Sequence, residues 1–341
     1  MKIIAGDIGG TKTNLGLFAV KDTVLTLLHE HSFPSRDYVG LETIVNEFLT
    51  ESQQAGHNNA LAAACFGVAG PVANGDCVAT NLPWVVSSRN LARLLNLKSV
   101  ELLNDLEITA HGVSELQPDE MVTLNEGLKV HANAGLIAAG TGLGVACLFW
   151  DGTRLIPSAS EGGHVEFSPQ NHLEIELLQY MMRQYDHVSI ERIVSGMGIP
   201  VIYAFLKSIG YAEELPAIAA RMNEQDPSSV ISQAALSGEC QLCDRTLDLF
   251  TSIYGAIAGN LALTLKALGG IYIGGGIAPK IITRMKDGTF MGAFLAKGRF
   301  TTLLANIPVK ILMNDKTALL GAARVAAGIA HDLFTEITFH S

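Results

Sequence analysis

Asn104-Asp105 stands where an apolar run, Val100 to Leu103, stops and a helical pattern begins. Two readings fit. An Asp at a strand-to-helix junction is a good helix cap. A carboxylate held rigidly there can also take a proton from a ligand, which is the work of a general base. Glu161-Gly-Gly-His164 brings a carboxylate and an imidazole into one tight loop. The spacing lacks the partner cluster that a metal needs. A carboxylate accepts two hydrogen bonds and an imidazole donates or accepts, so the pair suits neighbouring hydroxyls. Two solvated loop residues are the plainer alternative. Glu191, in Ser189-Ile-Glu191-Arg192, reads locally as the first turn of a helix capped by Ser189. Asn81-Leu-Pro-Trp84 follows the turn Gly67 to Val72, and Trp84 reads as ordinary packing or else as a lid or stacking face.

These side chains need elements to position them, and glycine punctuates three candidates. Ala5 to Phe18 has the glycines, lysine and threonine of a nucleotide-binding P-loop, but Thr11 precedes Lys12-Thr13 where the second glycine is required. Apolar runs flank Gly9-Gly10, so the segment predicts strand, turn, strand. Such a turn exposes N–H groups that cradle an anion. Gly135 to Phe149 repeats the design around Gly140-Thr141-Gly142. It fails the dinucleotide fingerprint, because Val145 follows Gly144 and a strand follows instead of a helix. Two matching hairpins, one opening each half of the chain, predict a duplicated fold. The third segment, Gly269 to Pro279, ends an apolar strand in Gly274-Gly275-Gly276, with Pro279 suited to a helix start. A tight turn needs one glycine, and three allow a flat ligand to approach the backbone.

Composition narrows the class. The 341 residues suggest two domains, and 48% hydrophobic against 16% charged residues can build a large core. A net charge of −10 without a basic run disfavours nucleic acid and anionic membrane. The five cysteines are sparse and odd in number, as in a reducing compartment, and Cys240-Gln-Leu-Cys243 reads as two ordinary cysteines on a helix. Asp7 interrupts the stretch a signal peptide would need. Ala132 to Trp150 is uncharged but broken by glycines, which predicts two strands rather than a membrane span. Leu249 to Leu265 reads as a buried helix, and Phe339-His340-Ser341 is not a peroxisomal address. These signs point to the cytoplasm.

In order and spacing the three glycine segments resemble the phosphate 1, phosphate 2 and adenosine motifs of the actin-like ATPase superfamily. Within it the chain is similar to the bacterial-type ATP-dependent glucokinase family, from Asp7 to the helical run Thr317 to Ala330. The resemblance implies an α/β fold of the actin-like, ribonuclease H-like kind. Two domains, 1–110 plus 317–341 and 111–316, would flank a central cleft. It implies phosphoryl transfer from ATP to the 6-hydroxyl of glucose, with Asp105 as general base. Asn104, Glu161, His164 and Glu191 would contact the sugar, with Asn81 near it. Gly6, Asp7, Ile8, Gly9, Gly10 and Thr11, together with Gly140, Thr141 and Gly142, would hold the phosphates. Gly274, Gly275 and Gly276 would line the adenosine. Mg²⁺ would arrive with ATP and be held by Asp7 through water, while Lys12 is read as a solvated turn lysine. Family members are commonly dimers, so a homodimer binding only a small sugar and a nucleotide is expected.

One departure separates a neighbouring group. Sugar kinases grouped with transcriptional repressors carry a cysteine-rich zinc motif soon after the Glu-Gly-Gly-His-like segment. Here Ser168-Pro-Gln-Asn-His172-Leu follows, without cysteine, and a first strand from Lys2 leaves no N-terminal helix-turn-helix. Two alternatives stand beside glucose phosphorylation. One is a kinase of another substrate, such as mannose, an amino sugar or a small acid. The other is a sugar-binding regulator without chemistry, against which the presence of Asp7 and Asp105 argues.

Overall fold

The computed structural model describes residues 1–22, 24–58 and 60–339, so the last two residues of the C-terminal segment read above lie outside it. The chain divides into two compact units, 1–118 with the chain from Asn314 onward, and 119–313.

In the first unit, β1 (Lys2–Ile8) and β2 (Lys12–Lys21) form the expected antiparallel hairpin, closing at Ile8 opposite Thr13. After β3 (Val24–Pro34) and α1 (Leu41–Gln54) comes β4 (Ala63–Val68), parallel to β1. A small sheet of β5 (Val72–Ala73), β6 (Asp76–Val78) and β7 (Val85–Ser87) precedes α2 (Ser88–Leu95). β8 (Glu101–Asn104) then runs into α3 (Asp105–Gly112). The main sheet has the order β3-β2-β1-β4-β8. Its central strands are apolar on both faces because both are covered. Ile4 and Phe66 pack in one cluster with Ile44 and Phe48 of α1. Ile3 and Ala5 pack in the other with Ile108 and the alanine-rich last helix, Thr317–Phe339. A Cβ on Gly321 would lie 1.7 Å from the Ile108 carbonyl oxygen, so that helix meets α3 backbone to backbone. The contact fixes the helix that begins at Asp105.

The second unit repeats the plan. Its strands are β9 (Met121–Asn125), β10 (Ala134–Ala139), β11 (Leu143–Trp150), β12 (Leu155–Ser160), β13 (Gly270–Gly274) and β14 (Val309–Leu312). The order β12-β11-β10-β13-β14 has the antiparallel and parallel pairings of the first sheet, and β9 adds an antiparallel edge. The duplication read from the two glycine hairpins is therefore topological. Between β12 and β13 lie α4 (His172–Met182), α5 (Gly198–Ser208), α6 (Pro216–Glu224), α7 (Pro227–Leu236) and α8 (Gln241–Leu265).

The uncharged stretch from Leu249 is the buried body of α8. Its Tyr254 hydroxyl donates to the Ile137 carbonyl at 3.2 Å and accepts the Ala139 N–H at 3.3 Å, pinning the helix to β10 beside the glycine turn. Cys240 caps α8, its Sγ accepting from the Cys243 N–H, and both thiols are buried and free. The uncharged stretch Ala132 to Trp150 is the β10–β11 hairpin. Among the described residues no helix is long and apolar enough to cross a membrane.

Candidate active site

The first unit gathers Asp7, the Gly9–Thr11 turn, Asn81 and Asn104-Asp105. Gly9 donates to the Lys12 carbonyl at 2.9 Å, which closes the turn. A Cβ on Gly10 would lie 2.6 Å from the Cβ of Asn81, so the exposed Asn81 abuts this turn. Gly6 and the Ile8 side chain are buried, leaving the backbone of Ile8 as its means of reaching a ligand. Lys12 is exposed, as expected of a turn lysine. Trp84 is buried, and its indole N–H donates to the Tyr38 carbonyl at 3.2 Å. It packs the unit and is not a lid.

Asn104, and not Asp105, is the N-cap residue of α3. Its Oδ1 accepts the Leu106 N–H at 2.9 Å, and its Nδ2 donates to the Gly70 carbonyl at 3.3 Å. Asp105 is the first helical residue. Its Oδ1 shares the Leu106 N–H at 2.9 Å, at the positive end of the helix dipole.

Asp7 is largely buried. That burial raises its carboxyl from 3.8 to about 6, against the hydrogen bond from Asn14 Nδ2 at 3.3 Å, and the charge of Asp105 adds to the rise. Among the described residues no three His, Cys, Asp or Glu side chains converge to cage a metal unaided. Asp7 instead fits a cation that brings oxygen ligands of its own. A buried carboxylate near a second one gains from positive charge, and Mg²⁺ keeps waters and phosphates in its shell.

In the second unit Gly140, Thr141 and Gly276 line one hollow, and His164 and Glu191 line another. Gly140 donates to the Gly142 carbonyl at 2.9 Å and accepts from Gly196 at 2.8 Å. Gly140, Thr141 and Gly276 share a hollow of about 840 Å³ with Ser228, Gln233 and Lys280. Gly274 is buried at the end of β13. Gly275 is demanded by the fold, with φ +80° and an added Cβ only 2.2 Å from the Ala139 oxygen. Gly276 and Gly140 are not demanded, since nothing lies within 4 Å of a Cβ at either and neither has positive φ. Both instead leave the hollow open.

The other hollow, about 620 Å³, is lined by His164, Glu191, Tyr185, His187 and Arg192. Glu161 Oε2 and His164 Nε2 are 3.8 Å apart and both side chains are exposed. Glu191 is not in a helix. Ser189 pairs as an antiparallel bridge with Glu166, short turns follow, and α5 waits until Gly198, whose N–H bonds to Ser195 Oγ at 3.2 Å. The Glu191 carboxylate therefore answers no helix dipole. It accepts the Leu143 N–H at 2.9 Å, next to the glycine turn, while the Glu191 N–H donates to the Gly163 carbonyl at 3.0 Å.

The sequence model of the glucokinase family matches residues 4–329. The chain belongs to the glucokinase family. It is 41% identical to the glucokinase of Nostoc sp. (strain PCC 7120 / SAG 25.82 / UTEX 2576) over 340 residues, covering 95% of this chain and 98% of that one. Among solved structures it is similar to a glucokinase from an Antarctic psychrotroph, with 30% identity and a TM-score of 0.83, covering 96% and 99% of the two chains. It also shares its fold with a ROK family glucokinase from Streptomyces griseus solved in complex with glucose and AMPPNP. That likeness has 21% identity, a TM-score of 0.63, and coverage of 96% and 100%.

Two further residues of this glucokinase-family chain support the site without a sequence signal. Ser35 is wholly buried. Its Oγ donates to the Gly9 carbonyl at 2.8 Å and meets Thr13 Oγ1 at 3.0 Å, while its N–H reaches the Thr11 carbonyl at 3.0 Å. His187 bonds through Nε2 to the His164 carbonyl at 2.8 Å. Both act across folded distance, and a lone Ser or His in a loop announces nothing.

Proposed function

We propose that the chain transfers the γ-phosphoryl group of MgATP to the 6-hydroxyl of glucose, with Asp105 as general base. The observation that carries the mechanism is the placement of Asp105. Its carboxylate stands at the start of a helix locked from behind by Gly321, while the neighbouring Asn104 does the capping. Asp105 Oδ1 accepts the same Leu106 N–H, which fixes the carboxylate in place to take a proton.

Phosphoryl transfer depends on positioning and charge neutralisation. Gly10 and Thr11 offer N–H groups and a hydroxyl to phosphate, as do Thr141 and Gly142, while the N–H groups of Gly9 and Gly140 close the two turns. The hollow beside Gly276 takes the nucleoside, with Gly274 and Gly275 shaping its floor. Asp7 would hold Mg²⁺, and the ion would supply neutralisation of phosphate charge. Asn104, Glu161, His164 and Glu191 read sugar hydroxyls, and Asn81 stays near the phosphate turn. Asp105 accepts the proton of the 6-hydroxyl as that oxygen attacks phosphorus. The relative from Streptomyces griseus, solved with glucose and AMPPNP, supports both ligand classes. The family resemblance supports a cytoplasmic homodimer, to be checked by sedimentation.

The test is ADP production from MgATP with a panel of hexoses, run beside Asp105→Asn. Glucose should stimulate turnover most, and the variant should lose about 10²–10⁴-fold in kcat. Sugar binding without stimulated turnover would overturn the reading.

A further inference from the structure

Backbone pairing joins the sugar loop to the segment that carries Glu191. Phe167 donates to Val188 at 2.9 Å, Ile190 to Val165 at 2.9 Å, and Glu191 to Gly163 at 3.0 Å. The carbonyl between Gly163 and Val165, on His164, accepts instead from a side chain. That donor is His187 Nε2, at 2.8 Å. A carbonyl oxygen only accepts, so Nε2 must carry the proton. Either the neutral tautomer or the imidazolium meets that need.

The consequence for His164 is geometric. The peptide between His164 and Val165 sets where the His164 side chain leaves the loop, and the loop is a single 3-10 turn, Gly162–His164. His164 is exposed, and its ring contact is Glu161 at 3.8 Å, too long for a hydrogen bond. The His164 backbone N–H donates to the Glu161 carbonyl at 2.9 Å and closes the turn, which leaves the His164 carbonyl to His187. His187 lines the same hollow as His164 and Glu191.

We infer that His187 is a positioning residue for sugar recognition, its Nε2–H holding the His164 peptide so that His164 and Glu191 face one ligand. This rests on the sugar-kinase reading of the same site. The bond is exposed and worth a factor of about 2–10. His187 bonds to the His164 carbonyl and does not line the hollow of Gly140 and Gly276, so the effect belongs in KM for the sugar.

The experiment compares the full-length protein with His187→Ala and His187→Gln, since a glutamine amide can place an N–H near the position of Nε2. Two readouts are taken. The first is steady-state kinetics with glucose and MgATP varied separately. His187→Ala should raise KM for glucose by about 2–10-fold, with kcat and KM for ATP within about twofold, and His187→Gln should restore most of it. A merely structural role would lower the active fraction and hence kcat, without that split or that rescue. The second is hydrogen exchange of amides 161–167, measured without sugar. It should quicken in His187→Ala and return towards the parent in His187→Gln. Unchanged exchange in the alanine variant overturns the proposal whichever sugar is the substrate, as does an unchanged KM. Absence of turnover in the parent overturns the kinase reading instead, and the exchange result then judges His187 alone.

Discussion

Glu191 accepts the backbone N–H of Leu143 at 2.9 Å, so a candidate sugar-reading acid also braces the second glycine hairpin. The approach is close, since a Cβ on Gly142 would lie 2.5 Å from the same carboxylate oxygen. Glu191→Ala should therefore raise KM for glucose and for ATP together, because an orphaned N–H costs about 1–3 kcal/mol. Glu191→Gln keeps an accepting oxygen. It should raise KM for glucose while leaving KM for ATP within about twofold. Glu161→Ala leaves the Leu143 N–H bonded to Glu191 and should touch glucose alone. An unchanged KM for ATP in Glu191→Ala would show that the brace is dispensable.

Glu191 also marks where the sequence stopped being legible. Ser189 and Glu191 have the composition of a helix start, but Ser189 is taken by the bridge to Glu166 and the helix forms only at Gly198. Tertiary pairing overrode a local preference. The glycine hairpins, the capped Cys240 pair and the buried α8 were legible because their cause is local: alternation, turn chemistry and an uncharged run. The repeated sheet order was legible only as a repeated hairpin. Ser35 and His187 were silent, since their partners lie 26 and 23 residues away and no spacing rule connects them.

Asp7 makes stability and metal binding depend on pH in opposite senses. Its carboxyl is raised in the folded state, from 3.8 to about 6, chiefly by burial. Its stabilising effect is complete below pH 4, where both states are protonated. It is lost as pH rises to about 6, because the unfolded chain releases its proton first. The difference is about 3 kcal/mol above pH 6. Asp7→Asn should thus be more stable than the parent at pH 7 without Mg²⁺, and the gap should close at pH 4. Urea denaturation at the two values checks this. The same variant should lose Mg²⁺-dependent turnover, while the parent should bind Mg²⁺ more tightly as pH rises through 6. A stability gap independent of pH would refute the burial argument.

Gly276 separates a glycine kept for a ligand from one kept for the fold. Its Cβ would meet nothing within 4 Å, whereas one on Gly275 would run into the Ala139 oxygen at a φ of +80°. Gly276→Ala should fold with stability near that of the parent and bind ATP more weakly. Gly275→Ala should lose stability by about 1–3 kcal/mol, from strain and displaced backbone. Thermal melts beside nucleotide titrations read both effects. Equal ATP affinity in Gly276→Ala and the parent would remove that residue from the nucleotide hollow.

Ser35 holds the first glycine turn from beneath, with Oγ on the Gly9 carbonyl and N–H on the Thr11 carbonyl. The turn's own closure is one bond, from Gly9 to Lys12. Ser35→Ala keeps the N–H and removes the hydroxyl, leaving the Gly9 carbonyl and the buried Thr13 hydroxyl each short of a partner. The expected loss of stability is about 1–3 kcal/mol, read by urea denaturation. If the turn cradles phosphate, its N–H groups must also be fixed in direction, and freeing the Gly9 peptide should raise KM for ATP severalfold with KM for glucose little changed. Thr13→Val leaves the Ser35–Gly9 bond in place and should therefore lower stability without that rise. A loss of stability in Ser35→Ala with an unaltered KM for ATP would confine Ser35 to the core and separate the turn from nucleotide binding.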